Sequence, residues 1–423
     1  MKISVSQIRY NILCAMIFYV LNKNLWDWLL GGVAKNIYYC VVALGAILCV
    51  VQYLKNKYFR DIFILFLVYC IAVVFNGFTL ANSEQLSVGF IEYITYPLSF
   101  FALLYFLKDK IVYTKLFNAL MKWASLTSVL AIYEFIVRKS ILPEFEGRVY
   151  TFDNGSSSYR STVFIGSPMM LGVVLGAIFI ITVYSFYTQK KNIYKIYIAL
   201  ELVGILCTGS RGPLIGSLLG VVFMYYYFYK QNGIKRNSFL AIVILVFAAI
   251  MLLIVMMAFP NFSTGIEAID FMIYRVTSAL NFSTEWGNIE RLSRWTYYIN
   301  RFLKKPITGY GIATTSAAVK SNSMVTLHGI TTESGLLARL VETGLLGTIS
   351  YFCFLARTIR CGCKETIKQD ETIIFVLGIV VLFMIEDIIL QISLDLFCTF
   401  ILWFALAYAV NMKLNNKKQA MNA

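Results

Sequence analysis

The sequence predicts an all-α, polytopic membrane protein with about twelve transmembrane helices and both termini on the inner side. Three observations carry that reading: the composition, a succession of apolar runs of spanning length, and the sidedness of the positive charge. Of 423 residues, 59% are hydrophobic and only 14% are charged, against about 25% charged in ordinary soluble domains. That is too little polar surface for a soluble enzyme and too much apolar sequence for a disordered chain. The formal net charge is +15, from 37 Lys+Arg against 22 Asp+Glu. In this composition it does not signal phosphate-backbone binding, and no nucleic-acid partner is expected.

A helix needs roughly 20 apolar residues to cross the hydrocarbon core. Runs of that order occupy 8–21, 37–54, 62–78, 88–107, 116–137 and 167–187. Six more follow at 193–207, 214–229, 238–258, 335–355, 373–390 and 392–410. The first and seventh are short and the last two nearly fuse, so eleven and thirteen are the neighbouring counts. No small-residue cleavage site follows the first run, which is therefore read as a retained span. With the N-terminus inside, every inner segment is basic, from Lys2 and Arg9 through Lys55, Lys57 and Arg60 to Lys413, Lys417 and Lys418. The inner segments hold 21 of the 37 cations, as the positive-inside rule requires. Residues 1–423 thus read as a single transmembrane domain.

The nine cysteines are an odd number and sit mostly inside apolar runs. Cys361-Gly-Cys363 has no second pair and no neighbouring histidine, so these residues read as small apolar side chains and no metal is expected. The single histidine, His328, has no metal-ligating neighbours either.

Two outer segments, 138–166 and 259–332, exceed simple turns, and loops of this length are usually functional or disordered. The larger contains Trp286, Trp295 and a stretch of helical period, which predicts order. That stretch is Arg291-Leu-Ser-Arg294-Trp-Thr-Tyr-Tyr-Ile-Asn-Arg301-Phe-Leu-Lys-Lys-Pro306. On a helix Arg291, Arg294 and Arg301 lie within about 80° of one another, beside an apolar face of Trp295, Ile299 and Phe302. Two readings are open: an amphipathic helix on the membrane surface, or a guanidinium clamp for a phosphorylated substrate. Two further outer arginines stand at helix mouths. Arg160 precedes the sixth run, and Arg211 lies in Thr208-Gly-Ser-Arg-Gly-Pro213 at the start of the eighth. A Gly-rich bend before a helix with an early proline is an anion-binding geometry, though also an ordinary interhelical turn. Finally, Glu92, Glu134, Glu201, Glu342, Glu386, Asp387 and Asp395 fall within or at the ends of apolar runs. Such acids are costly unless paired or facing water, which predicts an outward-facing polar cavity. Glu342 has a second reading, as a packing partner for Arg339.

Several of these features together form a known pattern. Arg294-Trp295, Pro306-Ile-Thr-Gly309-Tyr-Gly311, Thr332-Glu333-Ser334-Gly335 and Glu342-Thr-Gly344-Leu-Leu-Gly347 resemble the C-terminal signature of the O-antigen polymerase and O-antigen ligase superfamily. The segments Arg160-Ser-Thr-Val-Phe-Ile-Gly166-Ser-Pro168 and Gly209-Ser-Arg211-Gly212 are similar to its other landmarks. The resemblance implies a metal-independent, inverting glycosyltransferase without cofactors, of the membrane-embedded GT-C type, in the bacterial cytoplasmic membrane. Its donor is a glycan on undecaprenyl diphosphate at the outer face, and a chain-length regulator is an implied partner. The outer segments 138–166 and 259–332 then form the catalytic face. Arg160, Arg211, Arg291, Arg294 and Arg301 are expected to contact diphosphate or glycan, with Arg211 and Arg291 acting on the leaving group and His328 near the glycan. The ligase pattern places a histidine before a small polar residue, nine residues and Gly-x-x-Gly. Here Ser334 and Gly344-Leu-Leu-Gly347 keep that frame, but Glu333 stands where the histidine would be. Glu333 is then a carboxylate base or a sugar-binding group. This departure favours a polymerase of lipid-linked repeat units over a ligase acting on lipid A–core or protein. A lipid-linked sugar flippase is disfavoured by the long outer loop and the lack of visible inverted repeats.

Overall fold

The computed structural model describes residues 5–77, 83–107, 110–142, 149–151, 157–232, 270, 286–316, 331–364 and 374–421. The first helices are α1 (Val5–Leu21), α2 (Lys23–Leu30), α3 (Val33–Tyr53) and α4 (Lys57–Gly77). α5 (Ser83–Phe90) runs through a π turn (Ile91–Thr95) into α6 (Tyr96–Phe106), followed by α7 (Lys110–Val137). After a hairpin of β1 (Val149–Thr151) and β2 (Ser157–Tyr159) come α8 (Pro168–Gln189), α9 (Ile193–Cys207) and α10 (Arg211–Asn232). The chain continues with α11 (Trp286–Lys304), α12 (Gly335–Ile359), α13 (Ile374–Ile389), a 3-10 turn (Ile392–Leu394) and α14 (Leu396–Met421).

Helices dominate because a backbone in hydrocarbon must satisfy its polar groups within its own segment. Among the described residues seven helices are long and apolar enough to cross a membrane, and the shorter apolar α1 joins them. Eleven of the twelve apolar runs coincide with helices; the ninth, 238–258, lies outside the described residues. The short α2 is an addition to the sequence reading, and a Lys23–Asp27 ion pair at 2.9 Å lies along it. The π turn precedes Pro97, which has no N–H to offer the Tyr93 carbonyl one turn back. Glu92 and Tyr93 in that turn are buried.

Burial orders the helices into a centre and a rim. The spanning part of α14 is buried completely and that of α8 to 83%, whereas α3 and α4 are buried only to 28%. The rim helices turn Ile37, Ile47, Val51, Ile64 and Ile71 outward, an apolar surface suited to lipid. At one end of the bundle Arg9 donates to the Tyr105 hydroxyl at 3.0 Å, Arg357 pairs with Asp61 at 2.5 Å, and Lys413 sits 3.8 Å from the Tyr58 ring centroid. Arg9, Asp61, Arg357 and Lys413 all come from positions in or beside the segments read as inner.

α10 packs closely on α13. Gly212, Gly216 and Gly220 repeat every fourth residue and so share one face of α10. A Cβ on Gly220 would stand 2.6 Å from the carbonyl oxygen of Gly378, and one on Gly216 would stand 2.7 Å from Leu382. At the helix mouth a Cβ on Gly212 would stand 2.7 Å from the Glu386 carboxylate. Small residues let two backbones approach where lipid supplies no hydrophobic drive for association. Gly220→Val is therefore expected to force α10 off α13 and lower stability by about 1–3 kcal/mol, the usual cost of overpacking. Thermal unfolding in detergent checks this, with exposed Ile215→Leu as the control; an unshifted midpoint for Gly220→Val refutes it.

Candidate functional site

The site is built where α11 lies across the start of α12. Tyr298 of α11 is fully buried against Leu337 and Val341 of α12, flanked by Trp295 and Phe302. The buried face is thus 295, 298 and 302, not the expected 295, 299 and 302, because Ile299 is 46% exposed. Ile299 belongs instead to a second apolar stripe with Leu292 and Leu303, both at least half exposed. α11 is therefore two-sided: it docks on the bundle through one stripe and offers the other outward, as a helix lying on a membrane surface does.

This docking presents Arg291 and Arg294 to Glu333. Arg294 Nη1 donates to Glu333 Oε1 at 2.7 Å, and Arg291 Nε donates to Oε2 at 3.3 Å. Arg294 also pairs through Nη2 with Glu290 of its own helix at 2.5 Å. Glu333 stands at φ 50°, in the left-handed region that non-glycine residues rarely occupy. The next residue, Ser334, caps α12 by accepting the Leu337 N–H at 3.3 Å, as an N-cap serine does. Gly335 N–H donates to the Leu390 carbonyl at 3.0 Å, so the carboxylate is offered from a pinned segment. Arg301 turns away: Nε and Nη2 both donate to the Tyr297 hydroxyl, at 3.1 and 2.9 Å. Those bonds hold its guanidinium pKa above the usual value.

The glycine motifs form a backbone lock beneath this site. α12 breaks at Gly344, at φ 61° and ψ −164°, and the chain at 306–311 fills the break. Tyr310 and Gly311 N–H donate to the carbonyls of Val341 and Glu342, and Leu345 N–H donates to the Pro306 carbonyl, each at 2.8 Å. Gly309 (φ 68°) and Gly344 both have left-handed backbones and no room for a side chain. A Cβ on Gly344 would stand 2.3 Å from the Ile307 carbonyl oxygen. The Glu342 carboxylate then gathers the following loop, accepting from Ala313 N–H and Thr315 N–H at 2.7 Å and from the Thr315 hydroxyl at 2.6 Å. Ser316 donates onward to Glu92 at 2.8 Å. Glu342 thus serves loop 311–316, while the guanidinium of Arg339 takes Ser393 and Tyr69.

Across the bundle Glu134 does the same for the other outer segment, accepting from Ile141 N–H and Thr162 N–H at 2.8 Å and Val163 N–H at 3.0 Å. Asp387 accepts from Ser393 N–H at 2.8 Å. The expected polar cavity is accordingly reduced: three of the seven intramembrane acids hold loop or turn backbone. Glu386 differs. Its carboxylate is fully buried, neither oxygen has a hydrogen-bond partner among the described residues, and the positive charge of Arg291 acts on it.

Of the residues expected to act together, the structure brings Arg291, Arg294 and Glu333 into one cluster. Arg160, only 6% exposed, reaches the α9–α10 turn and donates to the Thr208 carbonyl at 2.8 Å and the Ser210 hydroxyl at 2.6 Å. It so supports the turn from which Arg211 opens α10. Arg301 stands apart at Tyr297, and His328 lies outside the described residues. Glu290 and the Gly212/Gly216/Gly220 face escaped the sequence reading. The four-residue glycine spacing was a legible signal; the role of Glu290 was not.

An all-helical, multi-pass membrane domain with a cationic helix clipped to a broken span is what these elements define. Residues 196–352, which contain α10, α11 and the broken helix, match the family described as O-antigen ligase. Over this stretch the chain is similar to that family, which supports the O-antigen polymerase and ligase superfamily and a glycosyltransferase-like class of enzyme. Among curated proteins nothing matches the chain.

The anchoring role of Glu342 is testable. Glu342→Gln removes a charged acceptor worth about 1.5–3 kcal/mol, so amide exchange at Ala313 and Thr315 is expected to quicken at least about tenfold. Hydrogen–deuterium exchange mass spectrometry reads this, and unaltered rates in 311–316 contradict it.

Proposed function

We propose that the protein is a polymerase of lipid-linked oligosaccharide repeat units, building an O-antigen, capsule or exopolysaccharide. The growing glycan moves from undecaprenyl diphosphate to the non-reducing end of another lipid-linked unit. The acceptor hydroxyl forms the new bond to the anomeric carbon as the bond to the diphosphate oxygen breaks, with inversion. The electron pair leaves on the diphosphate, and the hydroxyl proton passes to a carboxylate, for which Glu333 is the candidate. The observation that carries this reading is the convergence of Arg291 and Arg294 on Glu333 at the cap of α12, within the family-matched stretch. Guanidinium forks fit phosphate oxygens and stabilise charge that develops on a leaving diphosphate without a metal.

The reading extends to orientation. Twelve spans with both termini inside and a GT-C-type arrangement set α11 and the outer segments at the periplasmic face of the cytoplasmic membrane. The pairing of Arg9, Arg357 and Lys413 at one end of the bundle supports that sidedness. A chain-length regulator is the partner this activity calls for. The family description favours a second reading, a ligase that delivers finished glycan to lipid A–core or protein. Glu333 in the histidine position argues for the polymerase.

Arg211→Ala and Arg291→Ala are expected to leave membrane insertion intact and abolish long-chain product; normal chain-length ladders from both remove the assignment. Glu333→Gln is expected to cut turnover far more than His328→Ala, by about 10²-fold or more for loss of a proton acceptor. The reverse order, read by transfer to a purified acceptor, favours the ligase.

A further inference from the structure

The arginine pair already holds an anion, and it is part of the protein. Glu333 lies across Arg291 and Arg294 with one carboxylate oxygen on each, at 3.3 and 2.7 Å. Glu290 adds a second carboxylate to Arg294. Two guanidiniums thus face two carboxylates, and the pair is locally neutral. The carboxylate is also poised to leave. The side chains of Arg291, Glu333 and Arg294 are 29%, 27% and 13% exposed, so the pair is partly sheltered yet reachable from solvent. Glu333 is moreover held at a left-handed backbone angle, a conformation that persists only where the surroundings impose it. Arg294 keeps one buried donor, Nε, with no hydrogen-bond partner among the described residues. The internal occupant therefore leaves part of the fork unused.

The setting explains why such an occupant is useful. α11 presents Leu292, Ile299 and Leu303 outward, the pattern of a helix lying among lipid headgroups, each a phosphate diester with a single negative charge. A bare arginine pair there is a headgroup site. A singly charged phosphate that replaces Glu333 only exchanges one monoanion for another, and Glu333 is tethered, which gives it a high effective concentration. A diphosphate brings an additional charge and more acceptor oxygens, including some for the unused Nε donor.

We propose that Glu333 sets which phosphates this site accepts: its carboxylate fills the Arg291–Arg294 pair against the phosphate diesters of membrane lipid and yields to a diphosphate. This rests on the reading of the arginine pair as the donor-diphosphate site. Displacement also releases Glu333 at the moment donor is bound, so the proton acceptor becomes free only when there is a leaving group to expel.

The test is a binding measurement that needs no turnover. Purified protein in neutral detergent is titrated by calorimetry with inorganic pyrophosphate, with dimethyl phosphate and with phosphatidylglycerol in mixed micelles. Glu333→Gln keeps the side-chain shape and removes the competing charge. If Glu333 occludes the pair, the variant binds pyrophosphate more tightly, by about fivefold, and the two diesters gain binding that wild type lacks. A residue that merely positions the arginines predicts the opposite sign, weaker binding in the variant. Unchanged or weakened affinity overturns the proposal.

A second measurement uses the wild type and covers the case of a variant that fails to fold. Carbodiimide labelling of Glu333, read by peptide mass spectrometry, is expected to rise with pyrophosphate and to stay level with dimethyl phosphate. Labelling that ignores pyrophosphate also overturns it. Wild type that binds no pyrophosphate removes the donor-site reading as well. Pyrophosphate binding that Glu333→Gln does not tighten removes this inference alone.

Discussion

A guanidinium in the middle of the bundle is the constraint on which the rest of the structure depends. Arg339 is 1% exposed and lies one turn into α12. Its Nε and Nη2 reach the Ser393 hydroxyl and carbonyl at 3.2 and 3.0 Å, and Nη1 reaches the Tyr69 hydroxyl at 3.1 Å. Its carbon centre stands 3.7 Å from the Tyr351 ring centroid and 5.1 Å from that of Tyr93, close enough for cation–π attraction. Asp387 supplies the balancing charge through electrostatics, and the turn residue Ser393 bonds to both. A buried cation must be surrounded by such partners, and losing one leaves an uncompensated charge in an apolar medium. α4, the π turn after α5, α12, α13 and the 3-10 turn are therefore tied at one height. The cap of α12, with Glu333, follows from that height.

From this centre outward, the protein uses carboxylates as clamps on irregular backbone. Glu342 holds 311–316, Glu134 holds Ile141, Thr162 and Val163, and Asp387 holds the turn at Ser393. Each takes N–H groups that would otherwise lie unsatisfied near hydrocarbon, where water is scarce. The clamps make precise outer loops possible on a bundle whose sides must stay apolar. Arg160 is the cationic counterpart, buried among the acceptors of the α9–α10 turn. Polar residues in the spans thus divide into those that fix loops and those left over for chemistry.

The leftover groups gather on one side of α12. Arg291, Arg294, Glu290 and Glu333 form a nearly neutral cluster, and Glu386, without a hydrogen-bond partner among the described residues, lies against Gly212. Neutrality at rest is what an arginine pair needs beside a phosphate-rich membrane surface. The glycine face of α10 lets the mouth of that helix approach Glu386, whose carboxylate would stand 2.7 Å from a Cβ on Gly212.

Composition and apolar run length were enough to place eleven helices, because a long apolar run favours a helix that satisfies its own backbone independently of its neighbours. The glycine and arginine motifs were legible for a related reason: positive-φ backbone and forked donors demand particular residue types wherever they occur. What only the tertiary structure decided is which charges meet. Sequence spacing put Arg291, Arg294 and Arg301 on one stripe, yet Tyr297 draws Arg301 off while Glu333, 39 residues beyond Arg294, joins the other two. It paired Glu342 with Arg339 by proximity along a helix, yet a loop thirty positions earlier supplies the better donors. Hydrogen bonds and ion pairs are satisfied by whatever partner the fold brings within about 3 Å, and over such separations in the chain that is settled by packing.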